Sequence, residues 1–177
     1  MGNKAIDEAK ECVRSAITNS LLEYPPKRIT INLAPAELPK DGTHFDLPIA
    51  IAILVVSGQL RQTEVDGAIF AGELALDSTL RPIKGAVNAA EAATSAGYKK
   101  IYVPMPNAYQ TQLINNVEVI GTTSIKKLCL HLKGESVIPP HIGVVPESTK
   151  LHLSSPILDD IYRQDQAKRA LVIATAG

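Results

Sequence analysis

The chain has 177 residues, enough for one domain of ordinary size or for one domain plus a fragment. Its 18 Lys and Arg balance 18 Asp and Glu, so no net field draws it to DNA, RNA or anionic lipid, although a local patch stays open. Hydrophobic residues reach 45%, which argues against disorder, while aromatics at 4% and no Trp leave an aliphatic core and few platforms for stacking bases.

Residues 4–21 read as an amphipathic helix, with Ile6, Ala9, Val13, Ala16 or Ile17 and Leu21 recurring at three and four. Tyr24-Pro25-Pro26 stops it. Arg28 to Leu33 alternates with period two and predicts a strand with Ile29, Ile31 and Leu33 on one face. Ala34 to Thr43 carries Pro35, Pro39 and Asp41-Gly42 and predicts a loop. Asp46 then stands as a helix cap, with Pro48 in the first turn of an all-apolar, buried helix from Leu47 to Ser57 that Gly58 ends.

Ala68–Leu74 and Thr79–Ile83 flank Asp77-Ser78 and predict a hairpin. An Ala-rich helix from Gly85 to Ala96 ends at Gly97. Lys100–Val103 predicts a strand ended by Pro104, Ala108–Ile114 a helix, Val117–Ile120 a strand and Ser124–Leu132 a helix closed by Gly134. From Glu135 to Pro156 four prolines and little periodicity predict a linker. Gln164–Ala176 returns to a helical pattern, with Ala167, Ala170, Leu171 and Ala174 on one stripe. This order predicts an α/β (α+β) fold with a mixed sheet over residues 1–134.

Cys12 and Cys129 lie far apart, form no metal spacing, and read as buried or half-buried thiols of a reducing compartment. The four histidines, His44, His131, His141 and His152, have no metal spacing either, so no metal ligand is assigned. The longest apolar run, Leu47–Val56, contains Pro48 and is too short to cross a bilayer, and no signal-peptide pattern opens the chain. A cytoplasmic protein without a membrane partner is expected. No GxxxxGK[ST] phosphate loop and no GxGxxG occur. Asp41, His44 and Asp46 fall together after a strand, either as an interaction site or as a solvated loop whose Asp46 caps the next helix.

Longer strings carry more information. Val13-Arg14-Ser15-Ala16-Ile17, Tyr24 through Ala36, Leu38-Pro39-Lys40-Asp41-Gly42, Phe45 through Ala50, Gly72 through Leu76 and Leu80 through Gly85 closely resemble the magnesium-chelatase-like AAA+ family of the ComM type. Asp159-Asp160-Ile161 and Gln164 through Leu171 look like the lead-in to that family's ATPase module, with Arg163 where the family carries glycine.

The resemblance implies three segments. Residues 1–134 would be a Lon-protease-like (ChlI-type) domain with the ribosomal S5 domain 2-like fold, lacking two leading strands. Residues 135–155 would be a linker, and 156–177 the start of an AAA+ domain cut before Walker A. ATP and Mg²⁺ binding are then implied for a parent protein, and no cofactor for this fragment. Lon-type peptidases place a Ser nucleophile just after a Lys-Asp-Gly stretch and a Lys on the helix after the hairpin. In register, His44 stands at the Ser position and Val87 near the Lys position, with Lys84 three residues early. Neither His44 nor Val87 can supply a Ser–Lys dyad, so no catalytic residue is assigned and the fragment is expected not to be an enzyme.

The family implies a homo-hexameric ATPase acting on DNA in branch migration during natural transformation, with this part as an accessory domain. A magnesium-chelatase-type subunit inserting Mg²⁺ into a porphyrin is the alternative, and a pure protein-interaction module the third reading. Asp41, His44, Asp46 and Lys84 are the candidate interaction residues. Arg14, Lys27, Arg28, Lys40, Lys99 and Lys100 are the cations that weak, salt-sensitive DNA binding would use.

Overall fold

A computed structural model describes residues 4–33, 44–142 and 164–176. The chain divides into two compact units, Met1–Gly143 and Val144–Gly177.

In the first unit α1 (Lys4–Asn19) buries Val13, Ala16 and Ile17 completely, as the spacing predicts. It packs against α2 (Asp46–Val56), which buries Leu47, Ile49, Ala50, Ile51, Ile53 and Leu54. Gly58 follows α2 with φ +77° and donates its N–H to the Val55 carbonyl, a left-handed turn that a Cβ would strain. A short helix α3 (Gln62–Val65) was not expected; the Glu64 carboxylate accepts the Arg61 N–H at 2.8 Å and closes its first turn.

The main sheet is parallel, in the order β1-β4-β5, from β1 (Ala68–Phe70), β4 (Lys100–Pro104) and β5 (Glu118–Thr122). Its two faces serve different cores. Tyr102 and Ile120 join α1, α2 and α6 (Ile125–Leu132), while Ile101, Val103 and Val119 pack with Ala90 of α4 (Ala86–Ser95) and Ala108 of α5 (Met105–Thr111). Helices on both faces of a parallel sheet make the fold α/β. The apolar run of β4 follows from this, because a strand covered on both faces needs no polar side.

A separate antiparallel hairpin joins β2 (Glu73–Leu74) to β3 (Leu80–Arg81). Its turn is closed by Ala75 N–H to Thr79 O and by the Asp77 carboxylate, which accepts from the Thr79 amide and hydroxyl. The expected single strand 68–74 breaks at Ala71-Gly72. Gly72 sits where a Cβ would lie 3.2 Å from both Leu47 and Leu80 side chains, and its backbone bonds go to the His44 carbonyl and the Leu47 N–H.

Residues 28–33 depart from expectation. The alternation holds, with Ile29, Ile31 and Leu33 half-buried and Arg28, Thr30 and Asn32 exposed, yet the segment belongs to no strand. Among the described residues no ladder reaches it, and a strand is defined by its partner's hydrogen bonds. The predicted loop 34–43 lies outside the described residues. So does most of the expected linker. Its first part, 135–142, stays on the first unit: Ile138 packs on the core and His141 donates its N–H to Val119 O at 2.7 Å.

In the second unit α7 (Asp165–Ala176) follows Gln164, whose φ of +78° is left-handed. The stripe residues Ala167, Ala170, Leu171 and Ala174 are exposed.

Candidate functional site

The loop entering α2 is stitched to the hairpin by three bonds. Gly72 N–H donates to His44 O at 3.3 Å, Leu47 N–H to Gly72 O at 3.1 Å, and Leu74 N–H to the Asp46 carboxylate at 3.3 Å. The expected role of Asp46 as a helix cap is therefore wrong. Phe45 occupies the capping position without a side-chain bond, and the Asp46 carboxylate turns inward to β2. Only 2% of Asp46 is exposed. Burial pushes its carboxyl from 3.8 up to about 6, against the lowering effect of the Leu74 amide and with a further push from the neighbouring Glu73 charge. Glu73 in turn lies 3.9 Å from Arg81 across the hairpin.

The other expected site residues are dispersed. His44 is half-buried with its ring 4.0 Å from that of Phe45. Lys84 is exposed just before the left-handed Gly85 that leads into α4, and Val87 is half-buried in the first turn of α4. Among the described residues no hydrogen bond or ion pair links His44, Asp46 and Lys84 to one another. Asp41 and Lys40 lie outside the described residues. No group of three or more His, Cys, Asp or Glu side chains converges to hold a metal among the described residues.

Two surface hollows flank this region. A groove of about 830 Å³ runs between 23–33 and α2, lined by Ile29, Ile31, Phe45, Ile49 and Val56. Beside it a hollow of about 610 Å³ brings Arg14 and Lys27 together with Glu23 and Tyr24, and the Arg14 guanidinium stands 5.6 Å over the Tyr24 ring. Of the other cations, Lys100 lies 3.7 Å from Glu118, and Arg28 and Lys99 are exposed. Sequence reasoning missed a third arrangement, in which Tyr102 of β4, His131 of α6 and the Ile138 amide form one chain of polar contacts. Nothing in periodicity marks it, because its members are joined only by the fold.

Residues 1–107 match the family described as subunit ChlI of Mg-chelatase. The chain belongs to this Mg-chelatase-like family. Among its curated relatives, YifB of Escherichia coli strain K12 is 41% identical over 97% of this chain and 33% of its own length. The competence protein ComM of Haemophilus influenzae is 39% identical over 98% of this chain and 34% of its own length. Rv2897c of Mycobacterium tuberculosis is 31% identical over 98% of this chain and 34% of its own length. The chain thus spans about a third of the relatives it matches. The ChlI match covers α1 through β4, the stretch that contains the α2–hairpin stitch. Among the described residues no helix is long and apolar enough to cross a membrane.

Proposed function

We propose that this chain is the accessory, non-catalytic part of a ComM-like AAA+ ATPase that acts on DNA as a homo-hexamer in the cytoplasm. The observation that carries the reading is its 39% identity to a competence protein along nearly its whole length. In this reading the first unit is the Lon-protease-like, S5-like domain, and 156–177 begin the ATPase domain. The chain has no GxxxxGK[ST] stretch, so ATP and Mg²⁺ bind in the remaining two thirds of the parent. His44 and Val87 leave the Lon-like dyad positions without a nucleophile or an amine, so casein turnover stays at background.

A second reading starts from the family description, a subunit of Mg-chelatase, and makes the parent a subunit that helps to insert Mg²⁺ into a porphyrin. The two separate with the full-length protein encoded by the gene. ATP-dependent branch migration of forked DNA supports the first. ATP-dependent metallation of a porphyrin in the presence of its partner subunits supports the second. Failure of both, with stable capture of another protein, would leave only an interaction module.

A further inference from the structure

His131 lies in the last turn of α6 and makes contacts through both ring nitrogens. Nδ1 lies 2.9 Å from the Ile138 backbone nitrogen, and Nε2 lies 3.3 Å from the Tyr102 hydroxyl oxygen. An amide N–H can only donate, so Nδ1 must present its lone pair. The ring is therefore neutral, with its proton on Nε2 directed at the Tyr102 oxygen. Tyr102 is a firm anchor: it is 4% exposed, in the central strand of the sheet, and stacked on Phe70 with ring centroids 4.9 Å apart.

The Ile138 amide belongs to the segment 135–142, which leads out of the first unit. Among the described residues its other backbone attachments are three. Glu135 and Ser136 N–H groups close the end of α6 on Leu130 O, and beyond Ile138 the His141 N–H reaches Val119 O. His131 thus holds the middle of this segment to the sheet through one hydrogen bond whose acceptor is titratable. Protonation of Nδ1 would set an N–H against an N–H and convert that bond into a repulsive contact.

We propose that His131 is a pH-responsive clamp that pins Ile138, in the middle of the exit segment 135–142, while its ring is neutral and lets that bond go when Nδ1 takes a proton. The charges acting on the ring are those of Lys100 on β4 and Glu118 on β5. Burial, and then the Lys100 ammonium, favour the neutral ring, while Glu118 opposes them. Lys100 and Glu118 lie 3.7 Å apart, so their fields partly cancel at the ring. The Tyr102 hydroxyl, pushed up to about 12 by burial first, stays protonated and does not titrate in the same range. Folding favours the neutral ring, so the clamp is present above the ring's lowered pKa and is lost as pH falls through it.

The test uses nuclear magnetic resonance on the full chain between about pH 8 and pH 5, the range in which His side chains change charge. Ring nitrogen shifts report the tautomer, and amide exchange, expressed as protection relative to Val103 of β4, reports the clamp. At the upper end Nε2 should carry the proton, and the Ile138 amide should lose roughly three- to tenfold protection as the ring titrates, the worth of one hydrogen bond. His131→Gln, which offers a carbonyl acceptor without a titrating proton, should abolish the pH step. His131→Ala should leave Ile138 poorly protected at both ends. A proton on Nδ1 in the neutral ring would overturn the proposal. So would unchanged Ile138 protection across the ring's titration, or a pH step that persists in His131→Gln.

Discussion

Replacing Asp46 with Asn isolates the cost of a buried charge. The wild-type carboxyl is raised from 3.8 to about 6; it is buried, and among the described residues it accepts from the Leu74 amide at 3.3 Å. The folded protein therefore holds this proton more tightly than the unfolded chain. Between the two values the native state binds more protons, so stability falls as pH rises. The contribution is fully present below about pH 3.8 and is gone above about pH 6. The rise from 3.8 to about 6 corresponds to a ceiling of about 3 kcal/mol, and solvent screening reduces the expected value to roughly 1–3 kcal/mol. Asn keeps an oxygen for the Leu74 amide and carries no charge at any pH, but its NH₂ group needs a partner and costs about 1–3 kcal/mol if it finds none. The sign of the difference at one pH is therefore less telling than its change with pH. Urea unfolding of both proteins at about pH 4 and about pH 8 should show Asp46→Asn gaining roughly 1–3 kcal/mol on wild type over that interval. A difference between the two proteins that is the same at both pH values would refute the argument that charge burial, and not packing, sets the cost at this position.

Gly121 is where α5 meets β5 most closely, with a built Cβ falling 2.9 Å from Ala108 Cβ and 3.0 Å from Met105 Sδ. Gly121→Ala should lose about 1–3 kcal/mol in urea unfolding, and a neutral result would mean that α5 can back away freely. The Asn107 side chain imitates a strand neighbour, accepting from Ile83 N–H and donating to Ile83 O, both at 2.9 Å. Asn107→Ala should cost about 1–3 kcal/mol in urea unfolding, and Asn107→Asp, which sets a buried carboxylate oxygen against the Ile83 carbonyl, at least as much. Cys129 is buried and its thiol is pushed up to about 11, chiefly by burial, whereas Cys12 is half-buried. Iodoacetamide at about pH 8 should label Cys12 first and Cys129 only on unfolding; equal labelling rates would contradict the packing of α6.

The elements the sequence marks most clearly are those whose signals are local. The stripe of α1, the glycines after α2 and α4, and the apolar runs of β4 and β5 all place their elements within a few residues. Ser124 before α6 is a true cap, accepting the Lys127 N–H at 3.3 Å. Asp46 presents the same local pattern before α2 and is not one. What separates the two is a Leu74 amide brought from 28 residues away, which no window around Asp46 contains. The α5 boundary fails for a milder reason. The expected helix, Ala108–Ile114, starts three residues late, because α5 begins at Met105 with Pro106 in its first turn, where no N–H is needed.

Residues 28–33 show how far periodicity reaches. It assigns which side chains face the core, because burial is a property of the segment against its neighbours, and that assignment holds at every position. It cannot assign a ladder, because a ladder belongs to two segments and the second lies outside what the period describes. The same division runs through the candidate sites. Apolar positions were legible from spacing, since any apolar neighbour satisfies them. Polar positions were not, since each requires one particular partner at one angle, and Tyr102 and His131 meet across 29 residues. Functional readings of this chain that rest on lone polar residues, such as Lys84 or His44, therefore stand or fall on partners that only the folded chain supplies. For the Asp46 carboxylate that partner is the Leu74 amide, and for the His131 ring it is the Ile138 amide.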